Sequence, residues 1–188
     1  MYTYDGWSNS STYNSTISKN AAYYNSSKMP VYDTWWYQSA KALDMSLCVN
    51  NSWDGGRVTD TKQGITSGIE RALNLHNDST NVKPDVIIVY MGTNDLAIGI
   101  SLFDFEVAYT SMLTNIKSSY PDAEVYCCTL LPESHTANDD LKALLLEFNK
   151  SIRSMAISYG YSIIDFVSEI TDWDYCFKHI YVTVADFV

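Results

Sequence analysis

A chain of 188 residues, 46% hydrophobic and 18% charged, holds enough apolar material for one domain with a substantial core, and nothing in its composition calls for two. Its net charge of -10, with no basic cluster, repels nucleic acid phosphate and sets that class of partner aside. No run reaches the length of a membrane span. The opening Met1-Tyr2-Thr3-Tyr4-Asp5 also lacks the basic and apolar regions of a signal peptide; the location stays open, with a secreted or cell-surface one compatible with an incomplete N-terminus.

Residues 2–32 are rich in Ser, Asn, Thr and Tyr, show neither a helical nor a two-residue period, and contain Pro30. They read as a long surface excursion of the same domain, a kind of segment that is often functional. From Asp33 or Thr34 a helix is expected, with Trp36, Ala40 and Leu43 on one stripe and an end near Asp44. Residues 46–50 form a short strand candidate that runs into the polar loop Asn51-Ser52-Trp53-Asp54-Gly55-Gly56-Arg57-Val58-Thr59. Residues 67–75 carry Ile69, Ala72 and Leu73 at helical spacing.

Pro84-Asp85 then marks a turn before Val86, Ile87, Ile88, Val89 and Tyr90. This uncharged run suits a central parallel strand covered on both faces, and it feeds into Gly92-Thr93-Asn94-Asp95. Phe105, Tyr109, Met112, Leu113 and Ile116 predict a helix that stops before Pro121. Residues 123–130 alternate as a strand closed by Pro132. Asn138 can cap a long helix through Leu141, Leu144, Leu145, Phe148, Ile152 and Met155 that stops at Gly160. Residues 161–166 are the last clear strand, and beyond Ser168 the pattern is irregular, with Asp172, Asp174, His179 and Asp186 as its chemically able residues.

Four strands separated by helices imply an α/β fold with a parallel sheet and right-handed crossovers. In such sheets ligands bind beyond the carboxyl ends of the strands. Three polar turns fall there: Gly55 with its neighbours, Gly92 to Asp95, and the terminal segment. An unhindered glycine N–H and the neutral amide of asparagine could together hold a developing oxyanion, each donor being worth roughly 3 to 4 kcal/mol in the transition state. Cys48, Cys127, Cys128 and Cys176 lack metal-ligand spacing and read as buried free thiols, so no cofactor is called for. Fifteen tyrosines and five tryptophans, many among Asn and Ser, as at Trp35-Trp36-Tyr37, fit a carbohydrate surface. The plainer reading is that these rings pack a core and a loop.

The sequence resembles the SGNH, or GDSL-type, hydrolase family of serine esterases. Gly92, Thr93, Asn94 and Asp95 after an apolar strand match that family's third block, and the segment beginning at Asn51 matches its second. The resemblance implies a flavodoxin-like, three-layer sandwich around a parallel sheet and hydrolysis of a carboxylic ester or a carbohydrate O-acetyl ester. It implies that the Asn94 side chain and the Gly55 N–H, with Gly56 as alternative, are oxyanion donors. Asp95 then orients the site, and Trp53 and Trp35 stand beside Asp95 and Gly56 as candidates near the substrate.

The family's nucleophilic serine follows its first strand in a G-D-S block, and no such block occurs here; Gly6-Trp7-Ser8 is the nearest imitation, without a strand before it. None of His76, His135 or His179 has aspartate three residues earlier, as the family's late D-x-x-H requires. Asp186, followed by Phe187 and Val188, resembles the start of that pair. The expectation is a chain lacking the first strand and last helix of the fold, and with them nucleophile and base. The alternative is a non-catalytic module on the same scaffold that binds glycans or a protein.

Overall fold

The computed structural model describes residues 35–51, 56–59, 67–76, 80–132 and 139–168. They fall into two compact units, Met1–Asp54 with Asn74–Pro84, and Gly55–Leu73 with Asp85–Val188. The expected excursion over 2–32 and the irregular segment after Ser168 lie outside the described residues.

In the first unit, helix α1 (Trp35–Ala42) ends where Asp44 takes up a φ of 54° and Met45 N–H reaches back to Ala40 O at 2.8 Å, a left-handed stop that satisfies a terminal carbonyl. Residues 46–50 do not join a ladder as expected. Their polar contacts run elsewhere: the Cys48 thiol donates to Val82 O at 3.4 Å, and Asn51 Nδ2 donates to Asn74 O at 3.4 Å.

The second unit opens with a single helical turn, α2 (Gly68–Arg71), shorter than the expected 67–75 helix. Ser67 and Glu70 form a reciprocal capping box at its start. Leu73 N–H then bonds to Glu70 O, a tightened i to i−3 closure, and the turn stops. Gly68, Arg71 and the following Ala72 are buried, so of the predicted stripe Ala72 turns inward while Leu73 lies 51% exposed.

Next come β1 (Val86–Val89), α3 (Thr93–Ala97), α4 (Leu102–Ser119), β2 (Glu124–Cys128), α5 (Asp139–Tyr159) and β3 (Ser162–Ile164). The three strands make one parallel sheet in the order β1-β2-β3, with Val89 beside Cys127 and Cys127 beside Ile163. Helices separate successive parallel strands, as crossovers require. The residue expected to cap α5, Asn138, lies outside the described residues, while Gly160 ends that helix with φ 76°.

Alternation places Ile87, Val89, Val125 and Cys127 on one face, and all four are buried. Above this face α4 contributes Phe105, Tyr109, Met112, Leu113 and Ile116, and α5 contributes Leu145, Phe148, Ile152 and Ala156. Phe105 stacks on Phe148 with ring centroids 4.3 Å apart. The opposite face is covered unevenly: Cys128 is buried, yet Ile88 is 42% exposed. The expectation that the β1 run is covered on both faces is therefore corrected at Ile88. An uncharged sequence fits a covered strand but cannot show that cover arrives at every position. Burial pushes the Cys127 and Cys128 thiols up, to about 11 and about 12, which keeps them protonated and unreactive at neutral pH.

One buried polar side chain sets the exit from β2. Asn149 on α5, entirely buried, accepts from Leu130 N–H at 2.7 Å and donates to Leu130 O at 3.0 Å. Its amide substitutes for a strand partner and satisfies both groups of that residue. The strand end is thereby tied to the helix.

Candidate active site

Gly92 makes the site possible by letting β1 turn sharply into α3. Its φ of 129° is a conformation L side chains avoid, and a Cβ there would stand 2.9 Å from Phe105 Cε2 and 3.1 Å from Leu130 Cδ1. With Gly92 as N-cap, α3 begins at once, and its first turn carries Thr93, Asn94 and Asp95 at the carboxyl end of β1.

Asn94 and Asp95 both reach the 56–59 segment. Asn94 Nδ2 donates to Gly56 O at 3.0 Å. Because the partner is a carbonyl oxygen, only the nitrogen of the amide can face it, which fixes the orientation of the whole group. One N–H is used in this bond, and the amide carries a second. The Asn94 residue as a whole is only partly buried.

Asp95 is 0% exposed. Its Oδ2 accepts from Val58 N–H at 2.9 Å, and its Oδ1 accepts from Thr59 N–H at 3.0 Å and Thr59 Oγ1 at 2.7 Å. Both oxygens are thus turned into the protein. The group grips the 56–59 segment rather than opening toward solvent. A neighbouring cation, Arg71, is 6% exposed; burial lowers it to about 10 while the field of Asp95 opposes that shift.

Of the other residues singled out from sequence, Gly56 is buried within this arrangement. Gly55, Trp53 and Asp186 lie outside the described residues, as do Ser8, His135 and His179. Trp35 opens α1 in the other unit, and its side chain is outside the described residues. Sequence reading passed over Gly68, Arg71 and Asn149. The Ser67-x-x-Glu70 spacing marks the helix start at Gly68 but gives no sign that Arg71 turns inward.

A second carboxylate, Asp165, follows β3. Arg153 Nε and Nη2 donate to its two oxygens at 2.7 and 2.8 Å, and Thr129 Oγ1, Val167 N–H and Ser168 N–H add further donors. The Arg153 hydrogen bond, above all, holds it down from 3.8 to about 2. A carboxylate so engaged is a structural clasp. Because its folded value is depressed, its contribution is fully present above pH 4 and is lost as pH falls from about 4 towards 2. With allowance for solvent screening, Asp165→Asn is expected to cost about 1–2 kcal/mol at neutral pH, with most of the difference gone by pH 2. Urea unfolding across that range checks this, and a penalty that persists undiminished at pH 2 would contradict it.

The chain matches the family model of the GDSL-like lipase/acylhydrolases over residues 9–185, which includes both the 56–59 segment and the Gly92–Asp95 turn. It belongs to the GDSL-like lipase/acylhydrolase family. Two variants of the esterase AlinE4 share its fold, each with a TM-score of 0.58 at 17% identity. They cover 79% and 78% of this chain and 74% and 72% of theirs. A stretch of 52 residues is 31% identical to the cellulase/esterase CelE of Acetivibrio thermocellus, covering 27% of this chain and 6% of that protein. Its match therefore spans only a small part of that relative. The family match and the shared fold place these residues on an α/β hydrolase-type scaffold. Among the described residues no helix is long and apolar enough to cross a membrane, and no group of His, Cys, Asp and Glu could hold a metal ion.

Proposed function

We propose that Asn94 and the loop it grips form the oxyanion-stabilising half of a serine-esterase site, acting on a small-molecule or carbohydrate ester. The observation that carries this reading is the Asn94 Nδ2 bond to Gly56 O, which aligns a neutral donor beside the backbone of the second block before any substrate arrives. Preorganised donors of this kind need no rearrangement as charge develops on the carbonyl oxygen. Gly55 N–H is the companion donor, with Gly56 N–H as alternative, and Asp95 serves by fixing the loop. Asp186 is the residue of this sequence assigned to the orienting aspartate of that family's catalytic pair, on sequence grounds alone. Trp53 and Trp35 are the aromatic substrate candidates on sequence grounds alone, and we take the substrate to be an acylated carbohydrate because of the aromatic, Asn-rich first segment; a relative named cellulase/esterase agrees with that class.

One family model spans parts of both compact units, which supports treating the 188 residues as a single hydrolase-like domain. The residues themselves contain neither G-D-S nor D-x-x-H, so the oxyanion donors here lack a serine-histidine couple to act with. Incubation of the 188-residue chain with p-nitrophenyl acetate is expected to give no release of nitrophenol above buffer. Turnover that Ser8→Ala abolishes would overturn this reading and make Ser8 the nucleophile.

A further inference from the structure

The loop that Asp95 and Asn94 hold from one side is held from the other by α2. Gly68 N–H donates to Arg57 O at 2.8 Å. A Cβ on Gly68 would stand 3.1 Å from the Val58 Cα, 3.0 Å from Met112 Sδ and 3.2 Å from Met91 Cε, so the bare glycine allows the two backbones to lie together. One turn further along, Arg71 Nη2 lies 3.4 Å from Met91 Sδ, next to the residue where β1 bends into α3. Val58 is 0% exposed, and Arg71 is almost fully enclosed. A buried guanidinium thus sits behind the same strand exit from which the buried Asp95 projects.

A carboxylate with no access to water is costly unless a positive charge and hydrogen-bond donors offset its desolvation. Val58 N–H, Thr59 N–H and Thr59 Oγ1 are the donors. We propose that Arg71 is a positioning residue, the buried positive charge that lets Asp95 keep its grip on Val58 and Thr59 and so holds Gly56 O where it orients the Asn94 amide. Gly68 is its steric counterpart. The inference rests on the reading of Asn94 as an oxyanion donor, but the contacts it concerns can be measured without any turnover.

Amide hydrogen exchange at Val58 and Thr59, compared with Leu145 and Ile152 of α5, tests it. In Arg71→Met the two loop amides are expected to exchange about tenfold faster or more relative to α5, while Arg71→Lys, which keeps the charge, restores most of the protection. In an Asp95→Asn background the same Arg71→Met change is expected to have a much smaller effect, because the charge it served is gone. Lys failing to rescue, or equal effects of Arg71→Met in both backgrounds, would overturn the proposal in favour of simple packing. Should Arg71→Met alone not fold, urea midpoints of Arg71→Lys, Asp95→Asn and the Arg71→Met/Asp95→Asn pair decide it: a folded pair supports charge coupling, and an unfolded pair opposes it. Esterase assays play no part, so a wrong assignment of the oxyanion donors leaves these readouts intact.

Discussion

Replacing Gly92 with alanine is expected to destabilise the protein by about 3 kcal/mol or more, through two separate effects. The φ of 129° forces an L side chain into an unfavourable backbone conformation, and the added Cβ would stand 2.9 Å from Phe105 Cε2. That ring cannot give way, because it is entirely buried and stacked on Phe148 at 4.3 Å. Gly99 supplies the control: its φ is 75° and nothing lies within 4 Å of a built Cβ. Gly99→Ala should therefore show only the backbone cost, about 1–2 kcal/mol. Urea midpoints that fall equally in the two variants would mean that the packing under Gly92 is looser than described.

Asp95→Ala carries a comparable expected loss, about 3–5 kcal/mol, because it strands several buried groups at once. Val58 N–H and Thr59 N–H lose their acceptors, and the Arg71 guanidinium loses its nearby negative charge. Local consequences should precede global ones. The amide resonances of residues 56–59 are expected to broaden or shift under conditions where those of α5 stay in place. A loss below about 1 kcal/mol would show that water or another group replaces the carboxylate at little cost.

Much of this fold is legible in the sequence because its signals are local. Phe105 to Ile116 and Leu144 to Ile152 announce their helices through a 3.6-residue period, and Val86–Val89 announces its strand through uninterrupted β-formers. The Gly92-Thr93-Asn94-Asp95 turn was also readable, since a glycine after such a strand permits the bend that brings Asn94 forward. Burial was harder to foresee. Ile88 belongs to the same apolar run as Ile87, yet only the packing of particular helices decides which of them is enclosed.

The supporting residues were illegible for a related reason. An arginine in a short amphipathic stretch reads as solvated, and only the close approach of Gly68 to Val58 shows why Arg71 turns inward. Asn149 likewise interrupts an apolar stripe with no hint that Leu130, nineteen residues earlier, presents both backbone groups to it. Residues 46–50 failed as a strand because β-propensity describes a fit to neighbours that sequence does not supply. Long-range partners, rather than local preferences, made these differences.

The central claim concerns one side chain, the Asn94 amide, fixed by Gly56 O and offering its second N–H to an oxyanion. Titrating methylphosphonate, a small tetrahedral oxyanion, into nitrogen-15-labelled protein tests it most directly. The predicted result is a saturable shift of one of the two Asn94 Nδ2 protons, accompanied by the Gly55 or Gly56 backbone N–H, while the amides of α5 stay still. An Asn94 side-chain signal that does not move at any concentration the folded protein tolerates would contradict the account.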